Sequence, residues 1–303
     1  MKVTVLGVPN SAGAYCVGVE RAPAALREAG LIAALRAAGA EVVDTGDLTM
    51  RRWSPDRESP FAQNVGEEAK AMLELSAAAA GLLAEGERIL VLGGSCMVAV
   101  GLCAAMAERG ERPRLVYIDR HLDLNTPHST TEGSLSWMGM AHALALDGAA
   151  AELVVAAGRR PLLQPPDLVY LGADPTRETT QWEREQAGAL GLAIVDQAAL
   201  CDDPRGAARQ ALGILSPGPF VVHLDVDVLD FLDAPIAENV NGRNSGPTIA
   251  LLEPALVELL SRPDCRGLSI GQLDPAHASA EPNALPRLVS ALVSALTSTP
   301  RDD

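Results

Sequence analysis

Two five-residue stretches, Asp119-Arg120-His121-Leu122-Asp123 and His223-Leu224-Asp225-Val226-Asp227, place carboxylates and an imidazole at alternate positions. Each follows an apolar run, Leu115-Val116-Tyr117-Ile118 in the first case and Phe220-Val221-Val222 in the second. Such short apolar runs read as buried strands, along which side chains alternate between faces. If the chain stays extended, Asp119, His121 and Asp123 share one side, and so do His223, Asp225 and Asp227. Burying these carboxylates is costly unless their charge is neutralised. A pair of divalent cations is the simplest neutraliser, and oxygen with imidazole donors suits Mn²⁺, Fe²⁺, Ni²⁺ or Zn²⁺.

Strand and helix signals alternate along the rest of the chain. Strands are expected at 2–8, 40–43, 88–92, 115–118, 168–171, 192–195, 220–227 and 267–272. Helices are expected at 21–38, 66–85, 97–108, 134–145, 178–189, 204–215, 248–261 and 284–296. Pro23 falls in the first turn of its helix, where proline is tolerated, and Thr248 is an N-cap candidate. Residues 48–64, 124–133 and 231–247 read as polar loops, the last carrying Asn239, Asn241 and Asn244. Regular alternation predicts an α/β fold, a three-layer α/β/α sandwich with a mainly parallel central sheet, as one domain over residues 1–303. In such folds ligands bind beyond the carboxyl ends of the strands. Both acidic stretches, Gly93-Gly94-Ser95-Cys96 and Gln272 fall at such ends.

The chain has 303 residues, 48% of them hydrophobic, enough for a large core, and a net charge of −15 that argues against nucleic acid and anionic membranes as partners. No signal peptide or membrane-spanning run is read, since the N-terminus enters the first strand directly. Cys16, Cys96, Cys103, Cys201 and Cys265 are scattered without a CxxC, which favours reduced thiols and a cytoplasmic location.

Taken in order, the motifs resemble the arginase/agmatinase (ureohydrolase) family over nearly the whole chain. Residues Gly18-Val19-Glu20-Arg21-Ala22-Pro23 are similar to its first loop and helix, and Gly93-Gly94-Ser95-Cys96-Met97 occupies the place of its GGDHS motif. Asp119-Arg120-His121-Leu122-Asp123-Leu124-Asn125 is similar to DAHxDxN, and Asp225-Val226-Asp227-Val228-Leu229-Asp230 with Ala234-Pro235 to DxDxxDPxxAP. The resemblance implies a binuclear Mn²⁺ centre, two ions per chain if Cys96 ligates, whose bridging hydroxide attacks a guanidinium carbon. By position Asp119 and Asp225 would bridge both ions, Cys96 and Asp123 would complete one, and His121 and Asp227 the other. It also implies a small-molecule substrate and a homo-oligomer, trimer or hexamer.

Several positions depart from the family pattern. Cys96 replaces a histidine and is read either as a thiolate ligand favouring Zn²⁺ or Fe²⁺ or as a small buried filler. Ser136 stands where the family carries a proton-shuttling histidine, and Gln272 where it carries the carboxylate that grips the guanidinium, so a fully cationic arginine is disfavoured. His223 is either a partner to the metal ligands or a satisfied core histidine, while His142 and His277 read as structural or exposed. Asn125, His128 and Glu132 lie where relatives hold the substrate's amino-acid end. This pattern most resembles the N-hydroxyarginine amidinohydrolase branch of D-cycloserine biosynthesis. The expected function is therefore hydrolysis of a guanidino or N-hydroxyguanidino C–N bond in specialised metabolism. The alternatives are altered chemistry on the same scaffold (amide or imine hydrolysis, or cyclisation) and a non-catalytic binding protein.

Overall fold

The computed structural model of the protein describes residues 1–83, 87–130, 132–239 and 244–298. Eight strands form one sheet: β1 (Lys2–Gly7), β2 (Glu41–Asp47), β3 (Glu87–Leu92), β4 (Leu115–Ile118), β5 (Leu168–Ala173), β6 (Ala193–Asp196), β7 (Phe220–Asp225) and β8 (Cys265–Gly271). Their spatial order is β2-β1-β3-β8-β7-β4-β5-β6, and every pairing is parallel. The expected three-layer sandwich is what forms.

Residue alternation along the strands sorts the core into two layers. Leu90, Leu92, Val116, Ile118, Val222, Leu224, Leu268 and Ile270 face one layer. That layer is covered by α1 (Ala22–Glu28), α2 (Leu31–Ala37), α8 (Gln197–Asp202), α9 (Pro204–Ile214), α10 (Ile249–Leu260) and α11 (Ala284–Thr297). Ile89, Val91, Leu115, Tyr117 and Val221 face the other. It is covered by α3 (Val65–Ala80), α4 (Met97–Glu108), α5 (Gly139–Ala143), α6 (Ala151–Ala156) and α7 (Gln181–Leu190). Burial on both faces is why the strands read as continuous apolar runs. Among the described residues no helix is long and apolar enough to cross a membrane.

Some local expectations change. The helix expected over 21–38 is two seven-residue helices, because Gly30 adopts φ 92° between them. The helix expected from 178 starts at Gln181, where Thr180 and Glu183 form a reciprocal capping box. Helices α6 and α8 were not read from the sequence, both being only six residues long. The expected helix at 134–145 opens as a tight 3₁₀ turn, Leu135–Met138, before α5. Thr248 caps α10 as expected, accepting from the Leu251 N–H. Positions 84 and 85 of one expected helix, and Asn241 of the expected 231–247 loop, lie outside the described residues.

The central four strands, β3-β8-β7-β4, carry the chemistry-bearing residues at their carboxyl ends. The turn after β3 is pressed against the loop after β1. Gly94 approaches so closely that a Cβ there would lie 1.7 Å from the Asn10 carbonyl oxygen, while Asn10 itself is held by the buried Glu68 carboxylate at 2.9–3.0 Å. Gly94→Ala is expected to lower unfolding stability by about 2 kcal/mol or more through this backbone clash, measured by denaturant unfolding.

Candidate metal centre

Each acidic stretch is turned inward by its own backbone. Strand β4 ends at Ile118, so residues 119–123 do not stay extended, and Asp123 takes a left-handed φ of 51°. The shared face expected from strand alternation is produced instead by a loop. Asp119 Oδ1 accepts from the His121 N–H at 2.7 Å, which bends the chain back. After β7, a single 3₁₀ turn, Val226–Val228, is capped by Asp225, whose Oδ1 accepts from the Asp227 N–H at 2.8 Å. Arg120, fully buried, ties the two loops: its guanidinium donates to the carbonyls of Asp227, Leu229 (3.1 Å) and Ser245 (2.9 Å). Sequence reasoning passed over this arginine because it stands between the ligand-type residues.

The side chains converge. His121 Nδ1 lies 3.2 Å from Asp119 Oδ1 and 3.1 Å from Asp227 Oδ2. Cys96 Sγ, at the N-terminus of α4, lies 2.7 Å from Asp225 Oδ2, and the Tyr117 hydroxyl donates to Asp123 Oδ2 at 2.5 Å. Among the described residues three groups bring donor atoms within 4.8 Å of one another: Asp119/His121/Asp227, Cys96/Asp119/Asp123 and Cys96/His223/Asp225. His223, stacked on Tyr117, engages Ser269 Oγ through Nδ1 at 2.9 Å, and its buried Nε2 has no hydrogen-bond partner. Gly271 makes room for that ring, since a Cβ there would sit 2.9 Å from His223 Cε1.

Without a cation this arrangement is electrostatically poor. Burial and Asp227 push Asp119 up to about 6. Burial and neighbouring carboxylates push Asp123 and Asp225 well above the usual carboxylate range and the Cys96 thiol well above its usual value. Burial opposes charge on His121, but Asp227 and Asp119 outweigh it and hold the imidazole's pKa high. Burial lowers His223 to about 3, so it is a neutral imidazole offering a lone pair. Asp119 Oδ2 is buried with no hydrogen-bond partner. Orphaned oxygen and nitrogen donors, mutually repelling carboxylates and a thiol in one cluster fit divalent cations, which satisfy all three at once.

The arginase-family sequence profile matches residues 1–285. This chain belongs to the arginase family. The arginase of Brevibacillus brevis is 30% identical to it over 238 residues, covering 77% of this chain and 78% of that protein. In fold it is similar to the native arginase of Bacillus caldovelox, with a TM-score of 0.86 at 24% identity over 98% of both chains. The formimidoylglutamase of Bacillus subtilis shares the fold more distantly, with a TM-score of 0.72 at 16% identity over 98% of this chain and 85% of that one. Membership places the chain among hydrolases of non-peptide C–N bonds.

In this family member a cavity of about 460 Å³ opens over the cluster, lined by Cys96, His121, Asp123, Asp225 and Asp227 together with Glu132, Ser136 and Gln272. Ser136 Oγ is tied to the Gly13 carbonyl at 3.3 Å. Asn125 does not line the cavity; it is buried, and its Oδ1 accepts from Ser129 and Thr180 hydroxyls at 3.2 Å each. His128 also lies outside it, against the Gly148 turn. His142 is buried and neutral, lowered to about 4, with Nδ1 against the Met138 carbonyl, and His277 Nδ1 meets the Ala237 carbonyl at 2.7 Å. Glu238, Tyr15, Trp137, Arg177 and Glu183 also line the cavity, and none was singled out in the sequence. Only Glu183 carried a local signal, as the N3 residue of a capping box.

Folded Asp119 titrates near 6 against an ordinary 3.8, so between these values the folded chain binds more protons than the unfolded one, and stability falls as pH rises. Asp123 and Asp225 act in the same sense, and His121 does so above its ordinary 6.5; the lowered His223 and His142 offset part of the fall below 6.5. The melting temperature of cation-stripped protein is expected to drop by several degrees between about pH 4 and about pH 7, and divalent cation should restore it at the upper end. A flat thermal profile would contradict the buried repulsion.

Proposed function

We propose that the chain is a metal-dependent amidinohydrolase that cleaves a C–N bond of a guanidino or N-hydroxyguanidino group on a small arginine-like substrate. The observation that carries this is the pair of adjacent donor groups sharing Asp119, Asp119/His121/Asp227 and Cys96/Asp119/Asp123, at the floor of a substrate-sized cavity. Asp119, Asp123, Asp225 and Cys96, together with His121 and Asp227, would hold two divalent cations. The unpartnered Nε2 of His223, beside Cys96 and Asp225, supports its reading as a further donor to the Cys96 seat. Mn²⁺ suits the carboxylate–imidazole seat, and the thiol draws the other toward Zn²⁺ or Fe²⁺. Bound cations supply charge stabilisation at the carbon under attack and lower the proton affinity of the attacking water.

The protein's own groups position these parts. Tyr117 holds Asp123 in its left-handed conformation, and Arg120 holds the Asp227 loop from below. Ser136, tied to Gly13, is too weak an acid near neutral pH to shuttle a proton, so the proton that the departing alkyl amine takes up as its C–N bond breaks would come from the attacking water, the attacked carbon being released as urea or hydroxyurea. The support for an N-hydroxyguanidino substrate in specialised metabolism is the motif pattern of Cys96, Ser136 and His223. All five cysteines are free thiols, consistent with a cytoplasmic setting, and a trimer or hexamer is the assembly we expect.

Cation-loaded protein is expected to release urea or hydroxyurea from a panel of guanidines and N-hydroxyguanidines, with Asp225→Asn lowering turnover by at least about a hundredfold. No release from any member of the panel, by loaded protein, would overturn the proposal. Cys96→His is expected to tighten Mn²⁺ binding, read as a lower Kd by titration calorimetry, and an unchanged Kd would show that Cys96 is not a ligand.

A further inference from the structure

Gln272 is the neutral residue expected at the head-group end of the cavity, yet it does not stand there alone. Its backbone carbonyl accepts from the Glu238 N–H at 2.7 Å, and Ala237 and Leu273 form an antiparallel bridge beside that bond. The Asp274 N–H donates to the Ile236 carbonyl at 2.8 Å one step further on, so the two segments are fixed to each other by main-chain bonds. Glu238 and Gln272 both line the cavity, and each is more than nine-tenths buried.

The side chains form a matched pair. Glu238 Oε1 accepts from the backbone N–H groups of Tyr15 and Cys16 at 3.1 Å each, which anchors the carboxyl, while burial and the nearby Asp274 push it up to about 7, so that a cationic partner is what would keep it ionised. The Gln272 amide lies beside the Glu238 carboxyl and favours its ionised form, while its own Oε1 is buried with no hydrogen-bond partner. Gln272 also holds a left-handed φ of 61°, a conformation that costs energy for a residue with a side chain and that aims it at this place. An amide oxygen without a donor beside a carboxylate asks for one ligand group carrying several N–H donors and a positive charge. The carboxylate absent from position 272 is thus supplied 34 positions earlier in the chain, a difference of 272 and 238.

We propose that Glu238 is a specificity-determining residue: with Gln272 it selects a protonated amidine-type head group, guanidinium or N-hydroxyguanidinium, over its neutral isostere. This rests on the reading of the cavity as a guanidino site, and it reverses the sequence-based expectation that Gln272 disfavours a cation.

The test compares L-arginine with L-citrulline, which share a tail and differ in the charge of the head, as ligands of the Mn²⁺-loaded protein by calorimetry. The wild-type protein is expected to prefer arginine by about ten- to a hundredfold, the worth of a charge-assisted bond pair. Glu238→Gln keeps an acceptor for the Tyr15 and Cys16 N–H groups and is expected to bring the two ligands within about threefold. Gln272→Glu added to that variant is expected to restore the preference, which a purely structural role for Glu238 would not allow. The proposal is overturned if wild-type protein shows no preference, binding of neither ligand included, or if Glu238→Gln keeps the preference while melting like wild type. A retained preference in wild-type protein without release of urea or hydroxyurea from any panel member would sink the hydrolase reading and leave this one standing.

Discussion

Mutual repulsion among buried carboxylates is the constraint on which this structure turns. Asp119, Asp123, Asp225 and Asp227 sit at the ends of two adjacent parallel strands, all less than a tenth exposed. Nothing in the hydrophobic effect places them there, and burial raises the proton affinity of Asp119, Asp123 and Asp225. Arg120 is fully buried, but its guanidinium is engaged by three carbonyl oxygens and by Glu178 rather than by these four carboxylates. A fold that keeps such a cluster needs cations to satisfy it, and the oxygen, nitrogen and sulfur donors present are those that hold them.

The sheet order explains how one site gathers residues so distant in sequence. Strands β8 and β7 are inserted between β3 and β4, so the turns after four neighbouring strands meet above the carboxyl edge of the sheet. Cys96 arrives with β3, Gln272 with β8, Asp225 and Asp227 with β7, and Asp119, His121 and Asp123 with β4. Two of these residues, Asp123 and Gln272, are held at positive φ, which is where backbone strain is expected when geometry serves a site. The loop after β1 reaches the wall through Tyr15, and the backbone N–H groups of Gly13, Tyr15 and Cys16 are held by Glu68 and Glu238.

Much of this was legible in the sequence because two periods were. Apolar strands separated by helical stretches give the layered α/β fold, and the DxHxD and HxDxD spacings give the cluster. The break at Gly30 was not legible, since the flanking alanines and leucines keep a helical pattern on both sides. Asp119, His121 and Asp123 were gathered for a different reason than alternation, because the strand stops at Ile118. Arg120 and Glu238 were missed since their roles depend on long-range partners: carbonyls more than a hundred residues away for Arg120, and Tyr15, Cys16 and Gln272 for Glu238. Local pattern carries the candidate metal donors; only the assembled loops reveal what faces the cavity. Asn125 illustrates the converse, a residue of a motif that the fold uses to tie a loop rather than to line the cavity.

The central claim is that the carboxylate cluster is a binuclear cation site. Its most direct test is metal content by mass spectrometry on protein purified without chelator, before and after incubation with Mn²⁺. The account predicts two equivalents of divalent metal per chain after loading, from the two seats that share Asp119. Protein that takes up none, even after loading, would contradict it.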